Sequence, residues 1–203
     1  MTRPSSHARL LLALLLLALV VRLPPLFGRA LWYDDAVEGM MSQDILQGRF
    51  PFFFYGQYVH GTGDRFLAAL VLLGLGSTPL ALALAPLALM LGFIAVAWYA
   101  TRLVFGPRPA AFAALYLAVP PFYLYGWSFD TRGHYHLMLI FGAVVLLLLA
   151  RIWTEGVADT PRRRLVGLGF LAGFAWWTNN LGITFLAPAA GRRPAASRTR
   201  PRR

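Results

Sequence analysis

The chain contains no cysteine and no lysine, and charged residues of any kind make up only 13% of its 203 positions. Without cysteine, disulfides, cysteine-ligated zinc and thiol catalysis are excluded. Ordinary soluble domains carry about 25% charged residues, so this chain has too little charge to cover a small water-soluble globule. All 19 basic residues are arginines, which give a net charge of +11. Most of them interrupt apolar runs, and this distribution does not fit the solvated basic face of a nucleic-acid-binding protein.

Apolar residues are abundant instead, at 58% of the chain. Five apolar runs approach the roughly 20 residues that a membrane-spanning helix needs. They cover residues 10–27, 79–104, 110–125, 136–153 and 165–188. The first run also fits a signal-peptide core, but no small-x-small cleavage site follows it, so we expect an uncleaved helix. The sequence therefore predicts an all-α, polytopic membrane protein with about five transmembrane helices.

The arginines also predict the orientation of these helices. If the N-terminus is cytoplasmic, the inside segments hold eight arginines and the outside segments hold four, as the positive-inside rule requires. Six of the eight acidic residues then lie outside, most of them in a long first external loop at 28–78. We expect the chemistry of the protein on this outer face.

The two ends of the chain differ in character. Residues 1–190 are predicted to form one membrane domain, and residues 191–203 form a tail with six arginines and no periodicity. A basic tail can bind anionic lipid or nucleic acid. An external basic tail conflicts with the positive-inside rule, however, and this conflict favours a chain whose continuation was lost by truncation or frameshift.

The first external loop opens with two adjacent acids, Asp34 and Asp35. Neighbouring residues point in different directions on a helix, so the two carboxylates are not a dyad. One of them is expected to face a reaction site while the other caps the amphipathic interfacial helix predicted at 36–46. The alternative is that both are solvated acids with a capping role. A second apolar stretch at 66–76 is too short to span and is predicted to lie at the membrane interface.

Between these two stretches lies a segment of aromatic and glycine residues. Tyr58 belongs to a set of rings that grip a sugar or a lipid chain, or that anchor the loop at the interface. His60 is either a hydrogen-bonded structural residue or a ligand or base. Asp64 is either a helix-start residue or part of a pocket.

The second external loop, at 126–136, contains a second polar group. Arg132 is the expected phosphate contact, because arginine presents a planar fork of donors to phosphate oxygens. On an extended segment His134 and His136 point the same way. With Asp130 they form a weak metal signal, and hydrogen bonding to phosphate and plain loop structure remain open as well. No metal or other cofactor is predicted.

The order of these motifs resembles the N-terminal region of GT-C membrane glycosyltransferases, in the protein O-mannosyltransferase and aminoarabinose-transferase-like group (glycosyltransferase family 39). A first helix has Arg22 near its outer end and is followed by Trp-x-Asp-acid and an interfacial helix ending in Gly-x-x-Pro. Phe-Tyr-Gly-Gln-Tyr, Gly-x-x-acid and a Leu/Ala/Gly-rich helix come next. The resemblance covers about 22–188.

This resemblance implies an enzyme that moves a sugar from a polyprenyl-phosphate donor to a protein, lipid or glycan acceptor. The reaction would take place at the outer side of a bacterial inner membrane. Family members are longer, so the chain is expected to be an N-terminal fragment. The first acid, Asp34, matches the catalytic position and is the expected general base. Asp35 stands where the family usually has Glu and is assigned to the catalytic pair as the residue that assists acceptor or donor binding. The substrate-binding residues assigned with it are Arg132, His134, Tyr58, His60 and Asp64.

Two interpretations from other classes remain open. A transporter or lipid flippase also places polar residues among its helices, but it is expected to do so within the spans. Here the acids gather in one external loop instead. The third interpretation is a non-catalytic remnant.

Overall fold

A computed structural model describes residues 6–28 and 30–187, and every regular element in this part of the chain is helical. Two 3₁₀ helices, Pro24–Leu26 and Asn180–Phe185, accompany eight α-helices. The α-helices are α1 (Ser6–Arg22), α2 (Tyr33–Leu46), α3 (Gly63–Leu75), α4 (Pro79–Phe105), α5 (Pro107–Ala118), α6 (Phe122–Trp127), α7 (Gly133–Glu155) and α8 (Arg162–Thr178). The predicted all-α class is confirmed for these residues. The predicted tail at 191–203 lies outside them.

Two of the helices, α4 and α7, are long and apolar enough to cross a membrane. At 27 and 23 residues they rise about 40 and about 35 Å, against a hydrocarbon core of about 30 Å. Local signals set the bounds of α4. The Thr78 hydroxyl oxygen accepts a hydrogen bond from the Ala81 N–H at 3.1 Å. At the other end Gly106 adopts a φ of +92° and Pro107 follows it.

The third and fifth apolar runs do not form single continuous helices. In the third run α5 ends at Ala118, and the pair of prolines at 120–121 separates it from the short α6. Proline lacks the N–H that a continuing helix needs. In the fifth run α8 ends at Thr178, because Asn179 is extended and the chain continues as a 3₁₀ helix. The number of continuous spanning helices therefore differs from the number of apolar runs.

The core of the bundle is built around α4. Its buried Met90, Ile94 and Trp98 pack against α1 and against an alanine stripe on α5. The stripe consists of Ala110, Ala114 and Ala118. Small residues let helix backbones approach closely, which is the usual way in which apolar helices associate in lipid.

Polar residues lie at one end of this bundle, which we call the polar end. It consists of helices α2 and α3 with the segment between them, together with residues 128–134. Arg22, at the end of α1, is fully buried there. Its guanidinium donates to the carbonyl oxygens of Ala118 at 2.7 Å and Leu117 at 2.8 Å, and its Nε donates to the Ser128 hydroxyl at 2.8 Å. A buried arginine therefore closes the C-terminal end of α5 and ties it to α1.

Candidate functional site

The first turn of α2 separates the two adjacent acids. Asp35 is only 2% exposed. One of its carboxylate oxygens accepts from the Trp32 N–H at 2.8 Å, and the other accepts from the Thr131 hydroxyl at 2.5 Å and N–H at 3.3 Å. Asp35 therefore caps α2, as expected for one of the two acids, and fastens it to the segment before α7. It also belongs to the lining of a cavity that contains Trp32 and Trp127. Asp34 is exposed.

Asp34 lies on the walls of two cavities, and Arg132 lies on the walls of the same two. The larger cavity holds about 470 Å³ and the smaller about 110 Å³. Four aromatic side chains line the larger one: Trp32, Phe122, Tyr123 and Trp127. Polar groups dominate the smaller one: Glu38, Gln57, His60 and His134. The Asp34 carboxylate and the Arg132 guanidinium are thus accessible from both cavities.

Aromatic rings connect the two cavities. The His60 and His134 rings stack with centroids 4.4 Å apart, and His134 lies 4.4 Å from Tyr135. Tyr135 in turn stacks on Trp127 at 4.7 Å. His60 is half-buried, and burial lowers its pKa; the positive charge of Arg65 acts in the same direction. His60 therefore favours its neutral form where it stacks on His134.

A buried ion cluster adjoins the smaller cavity, whose lining includes one of its members, Glu38. Arg65 is fully buried and pairs with Glu38 on α2 and with its neighbour Asp64. Its guanidinium carbon also lies 5.4 Å from the centroid of the Phe54 ring. Burial raises the pKa of Glu38 well above its ordinary value. Burial lowers the pKa of Arg65, but the two carboxylates outweigh that effect and the net shift is upward. The cluster holds α2 and α3 together.

Two predicted substrate-binding residues lie elsewhere. Asp64 is buried in the ion cluster and does not belong to the lining of either cavity. Tyr58 is 86% exposed and also lies outside both linings. The segment from Pro51 to Thr62, which carries Tyr58, folds back on itself, with the Thr62 hydroxyl donating to the Pro51 carbonyl at 2.5 Å. Arg132, His134 and His60 do line the smaller cavity.

The histidine pair also differs from its predicted geometry. Helix α7 begins at Gly133, so His134 and His136 lie about 200° apart around a helix and do not share a direction. The weak metal signal at Asp130, His134 and His136 does not correspond to a group of converging ligand atoms among the described residues. Within the described residues, the metal-compatible group is Glu38, Asp64 and His134, all buried, with one ligand atom each within 4.8 Å of the others.

Three residues of the site were missed from the sequence: Glu38, Arg65 and Thr131. Glu38 had a usable signal, because it follows Asp34 by four positions and residues at this spacing share a helix face. Arg65 and Thr131 had none. Each acquires its role from a partner on another element, Glu38 for Arg65 and Asp35 for Thr131.

Comparison with family models, curated proteins and solved structures finds no match to this chain. Its function therefore has to be argued from the geometry of the polar end. That geometry consists of an exposed carboxylate and a half-buried guanidinium on the walls of an aromatic cavity and a polar one.

Proposed function

We propose that the chain is a membrane glycosyltransferase that takes a sugar from a polyprenyl-phosphate donor and places it on an acceptor hydroxyl. The observation that carries this proposal is that Asp34 and Arg132 line the same two cavities. Transfer from a lipid phosphate needs a base for the acceptor and positive charge for the departing phosphate. These two side chains supply both.

The reaction would proceed in one displacement. Asp34 takes the proton of the acceptor hydroxyl, and the acceptor oxygen forms a bond to the anomeric carbon of the sugar. The bond between that carbon and the phosphate oxygen breaks, and its electron pair stays on the phosphate. Arg132 stabilises the resulting charge, because a guanidinium donates two parallel hydrogen bonds to phosphate oxygens. His134 and His60, which line the smaller cavity together with Arg132, would complete the phosphate and sugar contacts.

The aromatic lining of the larger cavity supports a sugar or isoprenoid ligand. Trp32, Tyr123 and Phe122 are exposed rings, and aromatic faces are suited to apolar and sugar-ring contacts at a membrane surface. We further propose about five spans with a cytoplasmic N-terminus in a bacterial inner membrane, so that the polar end faces outward. A transporter is expected to place its polar groups at mid-depth, whereas these groups lie at one end of the bundle.

The first experiment measures donor binding by the whole chain in detergent. It is titrated with polyprenyl-phosphate sugars, and Arg132→Ala is compared with Arg108→Ala, which removes an arginine at the beginning of α5. We expect saturable binding that Arg132→Ala weakens by about 10- to 100-fold, because a hydrogen bond to a charged group is worth about 1.5–3 kcal/mol. Arg108→Ala should bind as the intact chain does.

The second experiment separates binding from chemistry. Asp34→Asn should bind the donor with unchanged affinity but lose transfer by about 100- to 10,000-fold, the usual contribution of a general base. Asp159→Asn, an exposed acid between α7 and α8, is the matched control. Equal transfer by Asp34→Asn and the intact chain would exclude Asp34 as the base, and a folded chain without saturable donor binding would contradict the proposed function.

A further inference from the structure

The Glu38, Asp64 and His134 side chains form a three-ligand arrangement. All three are buried, and one ligand atom from each lies within 4.8 Å of the other two. Two atoms bound to one zinc ion at about 2.1 Å each lie at most about 4.2 Å apart, so a small adjustment brings this set to metal-binding distances. Carboxylate oxygens and an imidazole nitrogen are ordinary ligands for zinc, cobalt and manganese.

The guanidinium of Arg65 already pairs with two of these three side chains. One terminal nitrogen of Arg65 contacts the Glu38 carboxylate and the other contacts the Asp64 carboxylate. The Arg65 side chain is fully buried, so it cannot swing into solvent without disturbing the packing around it. A metal ion would have to enter beside this positive charge in a space of low dielectric, where like charges repel strongly.

His134 supplies an independent sign that the arrangement accommodates a further ligand. It is 5% exposed, and neither of its ring nitrogens has a hydrogen-bond partner among the described residues. Buried polar atoms normally have a partner. Arg65 directs its terminal nitrogens at the two carboxylates, and so it leaves the nearby imidazole without a ligand.

We infer that Arg65 fills a cation site formed by Glu38, Asp64 and His134, and that removing its charge opens a site for one divalent transition-metal ion that the intact chain does not bind. Arg65 thus takes the place of a metal beside the smaller cavity, which Glu38 and His134 line. This inference does not depend on the proposed function, since it concerns metal binding and needs no sugar donor.

The test uses the whole chain, purified without a histidine tag and treated with chelator, and then titrated with Co²⁺. Three forms are compared: the intact chain, Arg65→Met, which keeps an unbranched apolar side chain but removes the charged head group, and Arg65→Lys, which keeps a charge. We expect Arg65→Met to bind one Co²⁺ with an affinity on the order of 100-fold or more above the other two forms, because the repulsion at short distance is removed.

The visible absorption of bound Co²⁺ and calorimetry give the stoichiometry. Adding Asp64→Asn or His134→Ala to Arg65→Met should abolish binding, whereas adding His7→Ala, at the far end of α1, should not. The affinity of Arg65→Met should rise with pH, since metal binding displaces protons from its ligands.

Each other outcome overturns the inference. If the intact chain binds Co²⁺ and Asp64→Asn removes that binding, the metal displaces Arg65 and the guanidinium does not fill the site. If folded Arg65→Met binds none, the three side chains are not a cation site. If Arg65→Met folds neither with nor without Co²⁺, a metal cannot replace the guanidinium, which also contradicts the inference; folding only with Co²⁺ supports it.

Discussion

Five charged side chains are buried among the described residues of this apolar protein: Arg22, Asp35, Glu38, Asp64 and Arg65. Burying an unpaired charge is costly, and removing one partner of a buried pair leaves that cost uncompensated. Each of the five has a partner from another part of the chain or from its own neighbour. Arg22 ties α1 to α5, and the other four fix α2, α3 and the segment before α7 relative to one another. Asp34 stands exposed on this fixed frame, where it can meet a ligand.

The charge state of His60 should make stability depend on pH. In an unfolded chain a histidine titrates near pH 6.5, whereas burial lowers the pKa of His60 in the folded protein. Between the two pKa values the unfolded chain binds more protons, so the stability contributed by the neutral imidazole is lost as the pH falls. We expect the Tm in detergent to fall from about pH 7.5 to about pH 5.5, and to fall less in His60→Gln.

The matched control for this prediction is His7→Gln at the beginning of α1, which should leave the pH dependence of the intact chain unchanged. Scanning calorimetry or circular dichroism at each pH gives the Tm. If His60→Gln and the intact chain lose the same number of degrees, the His60 imidazole does not contribute to the acid sensitivity.

At the scale of elements, the position of α2 depends on one carboxylate. Asp35 caps the helix and also accepts two hydrogen bonds from Thr131. Replacing Asp35 with Ala should lower the free energy of unfolding by about 1–3 kcal/mol, because it removes a helix cap and leaves buried donors unpaired. Thr131→Val should cost about 1 kcal/mol. The double variant should cost less than the sum, with a coupling of about 0.5–3 kcal/mol.

Denaturant titration of the four forms measures this coupling. Asp159→Ala, the removal of an exposed acid, is the control and should change stability by less than about 0.5 kcal/mol. Strictly additive losses would mean that the two residues act separately. In that case the bond between α2 and the segment before α7 would not be what holds Asp34 in place.

Helix bounds were predictable where the signals are local. The run at 79–104 corresponds to α4 within a residue, because a threonine cap and a proline lie at its beginning and a glycine and a proline follow its end. The helix predicted at 36–46 begins three residues earlier, at Tyr33. The end of α8 was not predictable. At this end the N–H of Gly61, more than a hundred positions away, donates to the Trp177 and Thr178 carbonyls. No sequence pattern predicts this contact.

The same division between local and distant signals holds for the site. The divergence of Asp34 and Asp35 followed from their adjacency on a helix. The position of Arg132 beside Asp34 was not predictable, since it depends on contacts between the second external loop and α2. The ion cluster could not be predicted either, since Glu38 and Arg65 are 27 positions apart and meet only when α2 packs on α3. The expected role of Tyr58 depended on the path of the 51–62 segment, which its hydrogen bonds decide.

At the scale of the whole molecule, the absence of cysteine permits a direct test of orientation. Gln57→Cys places a thiol at the polar end, and Asp159→Cys places one at the other end of α7; both positions are exposed. If α7 crosses the membrane as proposed, a membrane-impermeant maleimide should label Gln57→Cys in intact, right-side-out vesicles. It should label Asp159→Cys only after the vesicles are opened.

Both variants should be labelled fully in detergent, which controls for the accessibility of the thiols. Labelling of both positions from the same side would show that α7 does not cross the membrane. Labelling of Asp159→Cys alone in intact vesicles would reverse the proposed orientation and place the two cavities on the cytoplasmic side.

The hydrogen bonds of Arg22 have a consequence for how the protein is made. Its acceptors on α5 lie 95 and 96 positions further along the chain, a length that a ribosome synthesises in about 5 to 20 s. During that interval the charge at the end of the first helix has none of these partners, and an arginine in this position keeps its head group in water. Arg22 can enter the bundle only once α5 has been synthesised and has come beside α1. The burial of this arginine is therefore a late event in biosynthesis and reports that the helices have assembled.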